Sequence, residues 1–515
     1  MEAALVLYGI NSKPYYMRTI ITCILLTSFF SVSAQNIVLN SAFGDNGFTY
    51  ADNTTEIKKI VQAPDGSIIS AGIKSFSSGD DLVLTKHDAF GTQDLTFGSN
   101  GVSLISVDAY DDVYALQLQT DGKIILAGST YTGSDTGGFA IIHAFAIRCL
   151  PNGMIDSSFA TNGIFRVTSY TQSEFNAALL QNDQSLRLIS YSDGISYITK
   201  LTSAGVLDTS FGTNGSQAIS DLSTFFFFNR GAIALSDGSI LSYGVDNTGS
   251  SSSRIGCVKT DASGNRIISF GQNGIASFDL DTDDNTFEML TKGQELPDGK
   301  ILLAGDAADK VIIRIHPDGT LDSTFATNGI LNHSLPSNDM VAQPTGKILI
   351  GGHQQIGQTN WSLLVSRFNS DGTTDNSFNG TGDFEFDFST KVETLKCMVL
   401  TAPDRLLIGG RTNFVNNFTH FLLAEIDMSN TLHVQENKAD LISLYPNPVS
   451  DELTISVADE SITAIQLTDA AGRLISTHPV EKNTHLSLKH LPAGMYQVIL
   501  VTNSEERISK KLIKN

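Results

Sequence analysis

Asp322-Ser323-Thr324-Phe325-Ala326-Thr327-Asn328-Gly329 decides the fold, because the chain writes nearly the same phrase seven times. It returns around Phe43, Phe97, Phe159, Phe211, Phe270 and Phe378, at spacings of 52 to 62 residues, and each time a glycine follows the Phe by four positions. A fixed period of this length marks a repeat architecture rather than one large core. Between successive Phe positions lies a second mark: Asp65-Gly66, Asp121-Gly122, Asp237-Gly238 and Asp298-Gly299, degenerate at Asp183-Gln184, Thr345-Gly346 and Asp404-Arg405. Asp-Gly between apolar runs signals a β-hairpin, and a two-residue type I′ turn is expected there. In the second unit the runs Val113–Gln119 and Lys123–Ala127 flank that turn, with further strands at Val102–Val107 and Ile141–Leu150. Four strands per unit and seven units predict an all-β, seven-bladed β-propeller over residues 35–430. A solenoid is the alternative, but units above fifty residues are long for one. The recurrent Phe is expected to wedge between blades, with the preceding Asp holding an Asx turn.

The pattern Leu-Asp-x-Ser-Phe-Gly-x-x-Gly followed by Gln-x-Asp-Gly-Lys-Ile-Leu resembles the delta-60 repeat family of secreted bacterial proteins over about residues 36 to 430. That resemblance implies a propeller-like architecture and no particular chemistry.

Both ends of the chain carry other signals. Met17-Arg18, the apolar run Ile20–Phe30 and the small residues Val32-Ser33-Ala34 stand in the order of a secretory signal peptide, residues 1–34, with Met17 the expected start and cleavage after Ala34. The run is short for a membrane span, so no transmembrane anchor is expected. After Asp427 the repeat stops. Residues 431–440 read as a linker, and several short strands with turn signals in 441–515 predict a small β-sandwich. This segment resembles the type A C-terminal sorting domain of the type IX secretion system of Bacteroidetes. The matching residues are Tyr445-Pro446-Asn447-Pro448, Gly472-Arg473, Gly494-Met495-Tyr496 and the closing Lys510-Lys511. The resemblance implies passage through the periplasm, handling by the type IX machinery and delivery to the cell surface or medium.

Composition narrows the partners. With 33 Lys+Arg against 54 Asp+Glu the net charge is −21, which opposes nucleic-acid and anionic-membrane binding. Outside the leader the cysteines are Cys149, Cys257 and Cys397. They are odd in number and lack zinc spacing, so buried thiols are expected.

No nucleophile elbow, zincin, Walker or zinc motif appears. The single tryptophan, Trp361, leaves no room for the tryptophan-rich boxes of sialidase or quinoprotein propellers. Enzymatic activity is therefore not the expected reading. A binding, adhesion or structural role leads, and an extracellular polysaccharide hydrolase or lyase is the alternative. Asp279, Asp281 and Asp283 alternate as hard Ca²⁺ ligands would. An EF-hand would, however, need Gly where Asp284 stands and Glu where Leu290 stands. Phe225–Phe228 is either strand core or an exposed apolar patch. In an up-and-down sheet, successive connections alternate between its two ends. The hairpins, read as joining strands two and three, and the Phe connections, read as leading from strand four to the next blade, therefore share one end. The dissimilar loops at Ser129–Gly138, Phe225–Asn229, Asp246–Arg254 and Asp279–Asn285 share the other. Dissimilar loops on a rigid scaffold suit recognition, so Asp281, Asp283, Phe226 and Phe227 are the expected ligand contacts.

Overall fold

The computed structural model describes residues 37–515 except 52–55, 223–224, 249–252, 281–286, 336–337, 357–359, 388–392, 413–419, 430–441, 458–461, 470–472, 481–482 and 503–506. The expected leader, Asp281 and Asp283 of the acidic loop, and Gly472 lie outside the described residues. Every regular element is a β-strand, and none of the described segments is a helix long and apolar enough to cross a membrane. The chain forms two compact units. One is residues 224–393, and the other is 36–223 together with 394–515.

In the larger unit, sheet A is Glu56–Gln62, Ile68–Phe76, Gly79–His87 and Val102–Ile105, each strand antiparallel to the one before. Sheet B follows with Tyr110–Leu118, Ile124–Ser134, Ala140–Cys149 and Ile164–Arg166. Sheet C occupies residues 173–218. The smaller unit holds sheets D (227–278), E (289–333) and F (339–386), each of four strands in sequential order.

Sheet G belongs to the larger unit and is built differently. Its first three strands are Glu393–Ala402, Arg405–Thr412 and His420–Asp427, but its outer partners are the N-terminal Val38–Leu39 and Phe48–Ala51. The second strands are buried on both sides, as in Ile124 to Ala127, which are all buried and apolar. This is the pattern of a strand covered on both faces.

The sheets revise one expectation. The Phe connection does not lead from one blade to the next, because it joins the third and fourth strands of a single sheet: Phe97 lies between His87 and Val102, and Val102 pairs back with Thr85. The sequence repeat and the sheet are thus out of phase by one strand. The Asp-Gly hairpins join first and second strands, so hairpins and Phe connections still share one end of every sheet.

The C-terminal segment forms two sheets over one core. Ile442–Tyr445, Glu452–Val457 and Asn483–Ser487 make three strands. Leu474–His478, Ile462–Asp469, Gly494–Thr502 and Arg507–Lys514 make four. Val449, Leu453, Ile455, Ile465, Leu467, Val498, Leu500 and Leu512 fill the space between them.

Candidate functional site

The end of the sheets that carries the repeated motifs is committed to structure. All seven marker phenylalanines are buried. Phe97 packs among residues of sheets A and B, Phe159 among those of B and C, and Phe325 among those of E and F. In five repeats a main-chain bond stitches the Phe loop to the corresponding turn of the next repeat, as where Gly98 N–H donates to Asn152 O (2.7 Å), Ala160 to Ala204 O (2.8 Å) and Ala326 to Asp371 O (2.7 Å). The hairpins are not the expected type I′ turns. Positive φ falls on Gly66 (85°) alone, Gly66 N–H bonds Ala63 O, and Asp65 Oδ1 accepts the Ser67 N–H. This is a type I turn closed by a left-handed glycine, in which aspartate serves as the acceptor that holds the loop.

In three repeats a buried ion cluster locks the Phe. Arg314 Nε donates to Asp322 Oδ2 (2.7 Å), its Nη2 to Thr324 Oγ1 (3.2 Å), and its guanidinium lies 4.6 Å from the Phe325 ring centre. Lys300, from the hairpin, reaches the same carboxylate at 3.0 Å. Lys123, Arg148, Asp156 and Phe159 repeat this set, as do Lys347, Arg367, Asp375 and Phe378. The Ser158 hydroxyl and the paired cations hold the Asp156 carboxyl down at about 2. Burial alone would raise Asp375, but Lys347, Ser377 and Arg367 outweigh it and leave that carboxyl also at about 2.

The opposite end of sheet D gathers several residues that the sequence had singled out separately. Phe227 pairs with Asp246 and Asp246 with Arg254, and Ile255 pairs with Phe278, next to Asp279. Asp279 and the phenylalanine run therefore lie at the same end of sheet D, at its two outer strands. Phe227 is fully buried and stacks parallel on Phe225 at 5.6 Å, so it cannot offer its ring to a ligand. Phe226 is half-buried, with its N–H bonded to Thr248 Oγ1 (3.1 Å). Beside them a groove of about 860 Å³ runs along the outer strand Ile275–Phe278, lined by Phe225, Asp246, Arg254, Arg266, Gln272 and Thr320 among others. Arg266 lies 5.5 Å from the Phe225 ring centre, and among the described residues it makes no ion pair. Arg254 Nε stands 3.4 Å from Asp279. Arg254 had no motif to flag it, because its loop differs from those of the other repeats. Arg266, like Gln272 and Asn273, belongs instead to the repeated Phe connection, so the groove also draws on the end of the sheet that the sequence had reserved for structure.

Other candidates resolve into structure. Among the described residues no group of three or more His, Cys, Asp or Glu could hold a metal. Cys149, Cys257 and Cys397 are buried free thiols, and burial pushes Cys149 up to about 12. Two of the buried carboxylates at the starts of first strands bind backbone, Asp111 accepting the Val107 and Asp108 N–H groups and Glu288 that of Leu280, while Glu56 and Asp339 pair with Lys396 and Lys292. In the C-terminal domain Asn447 clamps the last strand, giving Nδ2–H to Lys511 O and accepting Ile513 N–H, both at 2.9 Å. Pro446 and Pro448 flank it, each after a cis peptide bond. Arg473 returns to Asp469 (2.7 Å), and the Tyr496 hydroxyl donates to Pro492 O (2.8 Å).

Known families match the two parts of the chain. The secretion system C-terminal sorting domain matches residues 443–515. A beta-propeller domain of unknown function (DUF5122) matches 119–159, 296–325 and 343–378. Those three stretches run from hairpin to marker Phe of the repeats that carry the lysine–arginine–aspartate cluster. No curated protein matches the sequence. Among solved structures, a protein of unknown function from Dyadobacter fermentans shares 11% identity over 77% of this chain and 99% of its own, at a TM-score of 0.42. Sqt1 from Chaetomium thermophilum shares 12% over 73% and 98%, at 0.38. The chain carries a β-propeller and a type IX C-terminal sorting domain, and it is exported by that system to the cell surface or the medium.

Proposed function

We propose that this exported propeller is a binding module, and that the groove beside Ile275–Phe278 takes an acidic polysaccharide. One observation carries the reading: an arginine with no ion pair among the described residues, Arg266, lies over the Phe225 ring in a groove that a second arginine, Arg254, also lines, in a chain whose net charge is −21. Cations in so acidic a protein favour a carboxylate ligand, and Arg offers a planar fork matched to one. Gln272, Asn273 and Thr320 along the same groove can bond sugar hydroxyls.

A uronate-rich glycan should bind the mature chain better than its neutral counterpart, and less well at high salt. Arg266→Ala and Arg254→Ala should each weaken binding roughly tenfold or more, since a hydrogen bond to a charged group is worth about 1.5–3 kcal/mol. Equal binding of neutral and acidic glycans, or no change in the variants, would overturn the proposal. A hydrolase or lyase would need convergent carboxylates. The engagement of Asp111 and Glu288 with backbone N–H groups favours binding over that reading, and new reducing or unsaturated ends on the same glycans would reverse the choice.

A calcium ion at Asp279, Asp281 and Asp283 belongs to the same proposal and has its own test. Because Asp279 is already paired with Arg254, calcium must displace an arginine to use it. Calcium should therefore raise the melting temperature of the wild-type protein and not that of Asp279→Asn. No shift in the wild type would remove calcium from the account.

A further inference from the structure

At one position of the third strand, six of the seven sheets carry a cation: Lys86, Arg148, Lys200, Lys259, Arg314 and Arg367. The position is fixed by main-chain bonds. Arg148 N–H donates to Gly163 O in the following Phe loop, and Asp156 N–H donates back to Arg148 O. The same bonds recur at Lys200, Arg314 and Arg367. Five of the cations face an aspartate eight residues on: Asp94, Asp156, Asp208, Asp322 and Asp375. In sheet D that place is Ile267, and Lys259 turns to Asp237 instead.

Sheet G keeps the bonds and inverts the chemistry. Glu425 occupies the cation's place, and its N–H donates to Gly47 O (3.0 Å) while its carbonyl accepts from Asn40 N–H (2.7 Å). The side-chain partner is Asn40, whose Nδ2–H donates to Glu425 Oε2 (2.5 Å). Thr401 Oγ1 donates to the other oxygen (2.8 Å), and Arg405 stands at 3.4 Å. Glu425 and Asn40 are both buried. This is the one sheet in which the Phe loop comes from the far end of the chain, so it is also the one in which the partner has to be selected.

We propose that the Glu425–Asn40 pair is an address. It directs the N-terminal segment around Phe43 onto the last sheet and rejects the Phe loop of an internal repeat, from the same chain or from another copy. An internal loop offered to Glu425 would bring Asp94, Asp156, Asp208, Asp322 or Asp375 against a buried carboxylate. Asn40 offered to an internal sheet would leave a buried Lys or Arg without its counter-charge. Each mismatch is penalised, so specificity comes from repulsion as well as from attraction.

The test uses the mature full-length chain and three variants: Asn40→Asp, Glu425→Arg, and the two combined. Asn40→Asp should lower the unfolding midpoint at pH 7, and the loss should shrink as the pH is lowered, since like charges held together favour protonation of one of the two facing carboxyls. Glu425→Arg should also lower it. The double variant recreates the internal pairing and should recover the midpoint. When refolded from denaturant, it should nevertheless yield severalfold more oligomer by size-exclusion chromatography than the wild type at equal concentration, because its last sheet now accepts any repeat. A double variant that refolds to monomer as cleanly as the wild type would overturn the address. So would an Asn40→Asp protein with an unchanged midpoint, or a double variant that fails to recover.

Discussion

An Asp322→Ala protein should lose about 3–5 kcal/mol of stability, the usual consequence of removing one partner from a buried ion pair. Asp322 is fully buried, and its carboxylate is the meeting point of Arg314, Lys300 and the Thr324 hydroxyl and N–H. Without it, buried Arg314 keeps a charge with no counter-ion. The equivalent Asp94→Ala should cost less than about 1 kcal/mol, since Asp94 is only half-buried and stands 4.0 Å from Lys86. Both aspartates hold the same turn, so the comparison measures what burial and the paired cations add at Asp322. Denaturant midpoints of the two variants measure it, and equal losses would show that the cluster is not what holds the loop.

The same carboxylates set an acid limit. Asp156 and Asp375 are held at about 2 in the folded chain, below the ordinary value near 4 in an unfolded one. A lowered folded value means the stabilisation is complete above the unfolded value and is lost as pH falls through the folded one. The wild-type midpoint should therefore drop between about pH 4 and pH 2, and removing Asp322 should flatten that drop.

Phe97→Ala should cost about 3–5 kcal/mol, as for any fully buried phenylalanine. The ring lies against Gly153 in the turn of the next repeat, where an added Cβ would come within 2.6 Å of it and where φ is 84°. Gly153→Ala should accordingly destabilise as well, through strain and overlap together. The two changes should combine to less than their sum, because the new methyl enters the space the ring vacated. Strict additivity in thermal or denaturant melts would mean that the ring and the turn do not share a contact.

The repeat was legible because Phe, Asp and Gly each answer a local demand: a wedge, an acceptor and a left-handed turn. The strand count per unit followed from alternation. The phase of the sheets did not, because Val102 pairs with Thr85 rather than opening a new sheet, and pairing is decided between strands, not within them. The turn type was missed for a related reason. Asp-Gly fits two hairpin geometries, and the loop length that separates them is fixed by where Ala63 and Ser67 bond. Among the candidate ligand contacts, Phe226 and Phe227 looked alike in sequence, yet alternation buries Phe227 and half-exposes Phe226. Arg254 carried no signal at all, and Arg266 stood in a connection reserved for structure, since a groove is made by residues distant in the chain. Glu425 was equally silent, because its meaning appears only when it is set against six cations at the same register.

The one-strand offset between repeat and sheet also bears on how such a gene can change. Suppose recombination duplicates or deletes one repeat, cutting at the same point in two copies. The new junction still reads Phe loop, fourth strand, then first strand, so every internal sheet stays complete wherever the cut falls. The two chain ends are untouched, and Asn40 and Glu425 still meet only each other. An insertion that would orphan a strand in most folds here changes only how many sheets the chain must accommodate, which leaves repeat number open to drift while the closing partners stay fixed.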